Sequence, residues 1–443
     1  MMRFIGFFLA LVVIHPVCEA FAAGITGRFT TAAYTFERSN PDTVSQGNFR
    51  VFQSARFRVM AWGRSELSLQ TYARGSLDLI NQSGNDPRYR LFHGYLRWQD
   101  SKDRFVLTGG RQLVMSGVGF GRINGIRVKV ALFRRGQLDT YLGTLVDIGS
   151  AGVRSWGDGH MFGSRLSTTS IFDTQLSASF YRRSRRTDPF LSPVRLAAGL
   201  GTLEIQPGEV EQQMIGFNLQ KGLGSRFSVY GRWDLSTPDG VRTRRAEGVL
   251  RYHSKGLTLS GEWFYREPYI DRNSVFSLFA QSSNQELSAR GNYRFNRFLG
   301  WFGEFSRVTY EGADGYRLNL GINVLNGYVG YIRRRGFGGV SDGFTVNLRY
   351  RLHRELWTSG GLHYSRFKLF HGGVDRSRIL SSTIGLDYRP SRHLTLSLQG
   401  QALSQNLNLS TAANPFPGLS RDFRFYFKAS TWFFHRTHRE GTK

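Results

Sequence analysis

The sequence predicts an all-β protein, a single closed antiparallel transmembrane β-barrel of about 22 strands, within a range of roughly 18 to 24, with no N-terminal plug. This prediction depends on a content of 52 glycines and 14% aromatic residues, on apolar residues at every second position, and on short turns that alternate with longer connections. A polytopic helical membrane protein needs several apolar runs of about 20 residues, and this chain has one. With 40% hydrophobic residues, it is not expected to be disordered.

The N-terminal residues predict a signal peptide over 1–22. Arg3 precedes an apolar stretch at 4–14, and Ala20-Phe21-Ala22 has the small residues that a signal peptidase requires. A signal anchor is the alternative, which the short apolar stretch disfavours. The single cysteine, Cys18, lies inside this segment. The exported chain is therefore expected to contain no disulfide, thiolate metal site or covalent haem attachment.

The period of the apolar residues predicts strands. In the segment 314–324, apolar residues alternate with Arg317, Asn319 and Asn323, which gives an extended strand one apolar and one polar face. The same period recurs in the segments 126–132, 257–265, 344–352 and 394–399. Such strands of about ten residues fit a tilted bilayer crossing, whereas strands of globular proteins average five or six residues. A secreted β-sandwich, propeller or β-helix remains the alternative.

The connections between strands alternate in length, which is typical of outer-membrane barrels. Short turns are predicted at Gly63-Arg64, Ser101-Lys102, Arg135-Gly136, Phe172-Asp173, 222–224, Lys255-Gly256, Asn296-Arg297, Asn326-Gly327, Arg354 and Ser391. Longer connections are predicted near 39–48, 80–87, 113–123, 148–159, 185–208, 267–283, 336–343, 369–375 and 404–420, with brief ones at 238–240 and 312–314. The segment 194–205 is a candidate for a further strand.

Aromatic residues lie near the predicted strand ends, where the interfacial girdles of a barrel are found. We expect Trp62, Trp98, Phe295 and Trp357 at the periplasmic girdle and Trp263, Tyr265, Tyr316 and Phe344 at the outer girdle. Near the C-terminus, Phe423, Phe425 and Phe427 alternate with Arg424 and Tyr426, and this strand resembles the assembly signal of Gram-negative outer-membrane proteins.

The chain therefore resembles Gram-negative β-barrel porins over its whole length, and the run Gly110-Arg111-Gln112 is similar to a strand end of several porin and polysaccharide-export barrels. The resemblance implies a location in the outer membrane of a Gram-negative bacterium, contact with lipid and lipopolysaccharide, and assembly by the outer-membrane insertion machinery. It assigns residues 23–434 to the barrel and residues 435–443 to a periplasmic C-terminal tail.

The charge balance is the main functional signal. The chain has 59 Lys and Arg against 32 Asp and Glu, a formal net charge of +27. Such a charge commonly indicates nucleic acid, but an exported membrane barrel has no nucleic-acid partner, so none is expected. Alternation with apolar residues places these cations in the lumen: Arg56, Arg58, Arg127, Lys129, Arg290, Arg294, Arg317, Arg349, Arg351, Arg424 and Lys428. Arg182, Arg183, Arg185, Arg186, Arg333, Arg334 and Arg335 are expected at the outer rim.

Each set of cations has a structural alternative. The rim arginines are equally suited to bridge lipopolysaccharide phosphates. The lumenal cations are expected to pair with Glu247, Glu262, Glu286, Glu304 and Asp387, but they outnumber these carboxylates. A positive excess selects negative ions, so the first functional prediction is a channel for small hydrophilic solutes that prefers anions. Replacing Arg317, Arg349 and Arg351 by Gln is then expected to reduce this selectivity.

Barrel size suggests a second function. About 22 strands imply a backbone cylinder of roughly 40 Å in diameter, which is too wide for a selective filter unless something occupies it. The resemblance includes porin–cytochrome conduits, in which a barrel surrounds a periplasmic multihaem cytochrome for transmembrane electron transfer, and polysaccharide-export barrels are a further alternative.

Enzymatic motifs are absent from the sequence: it has no Gly-x-Ser-x-Gly elbow, no phosphate-binding glycine loop and no His-Glu-x-x-His. We therefore predict no enzyme, no catalytic residue, no metal and no cofactor of the chain itself. Asp147, Asp158 and His160 at outer strand ends are the positions where a barrel enzyme would place such groups. His435 and His438 have a metal-compatible spacing, but no thiol partner lies nearby in the sequence, so a solvated basic tail is the favoured explanation.

Overall fold

A computed structural model describes the chain in sixteen segments, and all statements about the fold refer to them. The described residues are 22–40, 43–61, 66–81, 86–132, 135–146, 153–168, 172–186, 190–196, 199–205, 208–237, 240–267, 283–310, 312–336, 339–368, 377–407 and 418–436. All regular structure in these segments is β-strand. None of them contains a helix of the length and apolarity needed to span a membrane.

The described residues form 24 strands, numbered in chain order. Their bounds are β1 Ala22–Asn40, β2 Thr43–Ala61, β3 Leu67–Asp78, β4 Arg88–Gln99, β5 Phe105–Ser116, β6 Gly119–Leu132, β7 Gly136–Leu145, β8 Gly159–Thr168, β9 Thr174–Arg186, β10 Phe190–Leu196, β11 Gly199–Ile205, β12 Glu209–Leu223, β13 Phe227–Ser236, β14 Arg242–Ser254, β15 Leu257–Arg266, β16 Asn284–Arg294, β17 Leu299–Tyr310, β18 Ala313–Val324, β19 Gly327–Gly336, β20 Gly339–Arg351, β21 Leu356–Lys368, β22 Ser377–Ser391, β23 Leu394–Leu407 and β24 Gly418–Arg436.

Twenty-two of these strands form one closed antiparallel barrel. Each strand from β1 to β9 and from β12 to β24 pairs with its neighbours along the chain, and β9 pairs with β12. The first and last strands close the wall, with Gly24 opposite Arg436 and Ser39 opposite Arg421. The barrel strands run from 10 to 19 residues. The predicted fold class and strand number are confirmed.

The two faces of the wall differ as the period-two pattern predicts. On β18, Leu320 and Ile322 are exposed on the outer face, while Arg317 on the other face contacts carboxylates of β16 and β17. Successive strand residues point to opposite faces, so each strand contributes one row to lipid and one to the lumen. The core of a globular protein is replaced here by an apolar outer surface.

The two barrel ends differ in their connections. Nine of the ten predicted short turns lie at or directly beside connections of one end, and Gly63-Arg64 falls outside the described residues. At the other end, the predicted longer connections at 39–48, 113–123 and 336–343 are wrong. Strands there continue to Asn40, Ser116 and Gly336, and in each case the next strand begins three residues later. At 39–48 and 336–343 the strands extend beyond the bilayer, where both faces are hydrated, so the backbone ladder continues where the apolar alternation stops. At 113–123 the two strands instead pair only with each other.

The longest of these connections, between β9 and β12, contains additional structure. Strands β10 and β11 pair with each other from Phe190 opposite Ile205 to Leu196 opposite Gly199, outside the barrel sheet. The predicted further strand at 194–205 is thus a separate two-stranded hairpin.

One aromatic prediction is wrong. Trp357 faces the lumen instead of the lipid, because it lies opposite the lumenal Arg351 on β20 and Asp387 on β22. The guanidinium carbons of Arg349 and Arg351 lie 4.9 and 5.4 Å from its ring centre. Trp98, Trp263 and Phe344 are exposed on the outer face as expected, and Trp62 lies outside the described residues.

The predicted terminal segments overlap the described chain only at their edges. The structure describes nothing before Ala22, the last residue of the predicted signal peptide and the first of β1. At the other end, β24 extends to Arg436, two residues into the predicted tail.

Candidate functional site

The lumen contains a hairpin that leaves the wall. Strand β5 pairs with β4 only from Val106 to Arg111, and β6 pairs with β7 only from Ile123 onward. Between these points, the two strands pair only with each other, from Gln112 opposite Ile123 to Ser116 opposite Gly119. We call residues 112–122 the inward hairpin.

The inward hairpin is docked on the lumenal face of β7, β8, β9 and β12. Its Val114 and Val118 form a buried apolar cluster with the wall residues Ile123, Tyr141, Leu145, Met161 and Tyr181. At the tip, the Ser116 hydroxyl donates to Asp139 at 2.8 Å, and the Val118 amide donates to the Ser179 hydroxyl at 3.1 Å. A Cβ on Gly216 would overlap Val118, so this contact needs a glycine in the wall. The hairpin is therefore a fixed part of the lumen.

The run Gly110-Arg111-Gln112 lies where the hairpin departs. Gly110 has a φ of 124°, and a Cβ there would lie 2.5 Å from the Gly94 carbonyl oxygen, so only glycine fits. Arg111 spans the opening between β4 and β6, donating to the Asn124 side chain at 2.9 Å and to the Leu91 carbonyl at 3.3 Å. The motif therefore stabilises the bend at which the hairpin leaves the wall.

The hairpin presents apolar side chains to the lumen. Met115 and Phe120, which lie opposite each other, are 65% and 64% exposed. Together with the wall residues Arg165 and Gln220 they line a cavity of about 680 Å³. The inward hairpin therefore narrows the lumen on this side, and the side chains at the constriction are largely apolar.

The strand register places all eleven predicted lumenal cations on the inner face, but it divides them by partner. Five have a carboxylate within 3.5 Å: Arg127, Arg290, Arg317, Arg349 and Arg424. Arg351 instead donates to the carbonyls of His353 and Arg354. In the described part of the chain, no ion pair involves Arg56, Arg58, Lys129, Arg294 or Lys428. Position in the lumen therefore does not by itself make a cation available to a solute.

Strands β13 to β18 carry what we call the paired arc, in which arginines and carboxylates interleave. Its ion pairs are Arg232–Asp234 at 2.7 Å, Arg245–Glu247 at 2.6 Å, Arg290–Glu262 at 3.1 Å, Arg290–Glu304 at 3.2 Å, and Arg317–Glu286 and Arg317–Glu304 at 2.7 Å. Each of the five carboxylates expected to pair in the lumen does so, including Asp387 with Arg349. The paired arc is locally neutralised.

Strands β24 and β1 to β4 carry what we call the basic arc, comprising Arg28, Arg56, Arg58, Arg74, Arg90 and Lys428. Arg28 lies directly opposite Arg56, and Arg74 directly opposite Arg90. Such like-charged neighbours destabilise a sheet. No carboxylate of the described residues forms an ion pair with these six side chains. Four of them line a cavity of about 1150 Å³ at the turn end of the lumen: Arg28, Arg56, Arg58 and Lys428.

Sequence analysis missed half of the basic arc and the inward hairpin. Arg90 alternates with Tyr89 and Leu91, so the period-two rule applied to 88–91 would have found it. The hairpin had a weaker signal in the alternating glycines at 117, 119 and 121, since glycine within a strand commonly marks a close backbone approach.

The predicted rim arginines lie at the loop-end termini of β9 and β19 but point in two directions. Arg183, Arg185 and Arg334 share the lumenal face with Tyr181 and Ile332, whereas the alternate positions Arg182, Arg186, Arg333 and Arg335 lie on the outer face. Arg182 pairs there with Glu211 at 2.7 Å.

The residues considered for enzymatic chemistry do not assemble into a site. Asp158 accepts a hydrogen bond from the Ser155 hydroxyl at 2.6 Å, which lowers the pKa of this carboxyl in the exposed loop. His160 stacks on Trp156 with ring centres 4.6 Å apart, and Asp147 lies outside the described residues, as does His438. The described segments hold no cluster of three or more potential metal ligands.

Comparison with solved structures shows the same fold in outer-membrane proteins. The chain is similar to the ferric enterobactin receptor PfeA of Pseudomonas aeruginosa, in its G324V mutant form, with 9% identity, 91% of this chain and 80% of that chain covered, and a TM-score of 0.56. It is similar to the siderophore receptor PirA of the same species, with 10% identity, coverage of 92% and 80%, and a TM-score of 0.52. For OccAB3 of Acinetobacter baumannii the values are 11% identity, coverage of 92% and 99%, and a TM-score of 0.44.

No family model and no curated protein matches the chain. The fold is nevertheless the outer-membrane type of β-barrel that the sequence resembles. A closed antiparallel barrel of 22 strands with an apolar outer face and a polar lumen is built for the outer membrane. The protein is a closed transmembrane β-barrel with the fold that these outer-membrane proteins share.

Proposed function

We propose that the protein is an outer-membrane channel for small hydrophilic solutes and that its lumen prefers anions. The observation that carries this proposal is the basic arc, six lumenal cations without an ion-pair partner in the described residues. Charged groups of one sign on a channel wall attract ions of the opposite sign and raise their local concentration.

The inward hairpin supports a narrowed channel. It is fixed to one side of the bore by buried hydrogen bonds and an apolar cluster. The lumen space that it occupies is not available to a guest chain, which favours a solute channel over a sheath for a cytochrome.

Purified protein in a planar phosphatidylcholine bilayer tests the proposal. In a tenfold gradient of KCl, the sign of the reversal potential is expected to show that chloride is more permeable than potassium. A preference for potassium would contradict the anion preference, and the absence of any conductance would contradict the channel itself.

The narrowing has its own test. Met115→Trp combined with Phe120→Trp is expected to lower single-channel conductance, because both side chains project from the hairpin into the lumen. Leu320→Trp on the lipid-facing side of β18 is the matched control and is expected to leave conductance unchanged. Equal conductance of the two variants would show that the hairpin does not limit the flow of ions.

A further inference from the structure

Three arginines surround one aromatic ring beside the inward hairpin. The guanidinium carbons of Arg74, Arg90 and Arg122 lie 5.3, 5.6 and 5.4 Å from the ring centre of Phe92. The three charges are thus within about 11 Å of one another, close to the Debye length of about 10 Å at 0.1 M salt. Mobile salt at this concentration therefore screens the repulsion between them only in part.

The three side chains come from different parts of the wall. Arg74 on β3 and Arg90 on β4 are cross-strand neighbours near the loop end of these strands. Arg122 belongs to the inward hairpin, so the hairpin brings the third charge to the other two. Phe92 stacks on Tyr72, with ring centres 4.7 Å apart, which fixes the ring between the guanidinium groups.

This cluster lacks compensation within the described chain. No carboxylate there forms an ion pair with any of the three arginines, and the Nε of Arg122 is buried without a hydrogen-bond partner. Each cation–π contact with the ring stabilises the arrangement by only about 0.5–1 kcal/mol at an exposed site. The neighbouring carboxylates are already engaged, Asp78 with Arg50 and Asp86 with Arg88.

We propose that Arg74, Arg90 and Arg122 form a binding site for a multivalent oxyanion, such as sulfate, phosphate or a phosphate monoester. A single chloride compensates one of three charges, whereas a divalent tetrahedral anion compensates two and offers several acceptor oxygens. The planar guanidinium fork binds such oxygens in bidentate fashion, which an ammonium does not. The proposal rests on the proposed channel and names the class of solute that it selects.

Block of the chloride current by sulfate tests the site. In a phosphatidylcholine bilayer free of lipopolysaccharide, sulfate is expected to reduce the current of the unmodified protein at far lower concentration than nitrate does. The triple variant Arg74→Lys, Arg90→Lys, Arg122→Lys keeps all charges. Its half-blocking sulfate concentration is expected to rise about tenfold, because the bidentate geometry is lost.

The matched control is Arg245→Lys, Arg290→Lys and Arg317→Lys in the paired arc, which is expected to leave the sulfate block unchanged. Equal sulfate block in the unmodified protein and the first triple variant, with chloride preference intact, would overturn the oxyanion site and leave the proposed function standing. If the unmodified protein shows no preference for chloride over potassium, the proposed function is overturned instead.

A measurement without current separates the site from the channel. Sulfate that binds the folded state is expected to raise the melting temperature of the unmodified protein in detergent and not that of the lysine variant. The control variant is expected to show the same increase as the unmodified protein. An equal increase in all three proteins would show that sulfate acts elsewhere.

Discussion

The two arcs of the lumen contain the same residue type in opposite electrostatic settings. In the paired arc, Arg317 contacts Glu286 and Glu304 at 2.7 Å. In the basic arc, Arg56 lies directly opposite Arg28 and forms no ion pair with the described residues. The first arrangement stabilises the wall, and the second costs stability but leaves positive charge for a solute. Arginine content alone is therefore a poor guide to permeation, and local pairing decides which arginines matter.

This comparison changes one expectation drawn from the sequence. Arg317, Arg349 and Arg351 were predicted to govern selectivity together. Arg317 and Arg349 are paired with carboxylates, and Arg351 is bonded to backbone carbonyls. We instead expect Arg28, Arg56 and Arg58 to contribute most.

Removing charge from the basic arc is expected to have the largest effect. In the triple variant Arg28→Gln, Arg56→Gln, Arg58→Gln, the permeability ratio of chloride to potassium is expected to fall close to one, measured from reversal potentials. The matched control, Arg245→Gln with Glu247→Gln, removes one ion pair without changing net charge and is expected to keep the preference. A similar fall in both proteins would remove the distinction between the arcs.

Stability is expected to change in opposite directions in the two arcs. Arg317→Gln leaves Glu286 without its arginine and Glu304 with only Arg290, and it is expected to lower the free energy of unfolding by about 1–3 kcal/mol. Arg56→Gln relieves a like-charged pair and is expected to raise it by about 0.2–1 kcal/mol. Urea unfolding in detergent micelles measures both values. Destabilisation by Arg56→Gln would mean that this side chain has an unrecognised stabilising contact.

A higher salt concentration is expected to affect the two arcs differently, with smaller changes than those caused by the substitutions. Between 0.1 and 1 M KCl the Debye length falls from about 10 to about 3 Å. The chloride preference and the stability gain of Arg56→Gln are both expected to shrink, because their charges interact across solvent. The loss caused by Arg317→Gln is expected to persist in the same titration, since its partners are in direct contact. A parallel decline of all three quantities would contradict the pairing in the structure.

Replacement of Trp357 is expected to have the smallest effect on selectivity. Its ring lies beneath Arg349 and Arg351, so Trp357→Leu removes two cation–π contacts of about 0.5–1 kcal/mol each. The outward-facing Trp98→Leu is the control. We expect Trp357→Leu to lower the free energy of unfolding by about 1 kcal/mol more than Trp98→Leu does. The chloride preference is expected to stay nearly unchanged. A large loss of selectivity would assign Trp357 to the permeation path.

Strand number and face assignment were accessible from sequence because both follow from a period of two. The alternation around Arg317 and Arg349 fixes which residues face the lumen wherever the outer face meets lipid. The same rule failed at 39–48 and 336–343, because the strands extend beyond the bilayer. It failed for Trp357 because aromatic residues suit both a lipid interface and a layer beneath arginines.

Which lumenal arginines form ion pairs could be determined only from the strand register. Arg290 reaches Glu262 on β15 and Glu304 on β17, which are 28 and 14 positions away along the chain. Nothing in the local pattern separates Arg290 from Arg56, which lacks such a partner. The inward hairpin was equally inaccessible, because its direction depends on docking between Val118 and Ser179, 61 positions apart.

The departure of the inward hairpin also weakens the wall that it leaves. Strands β4 and β5 share a ladder of only six residue pairs, from Gly94 to Gln99, and above it the Leu91 carbonyl is held by the Arg111 side chain. Local opening is easiest where few backbone hydrogen bonds resist it. In hydrogen exchange, the amides of 88–93 are therefore expected to lose protection before those of β17 and β18, which share a ladder of twelve pairs. This seam is where we expect thermal unfolding of the barrel to begin.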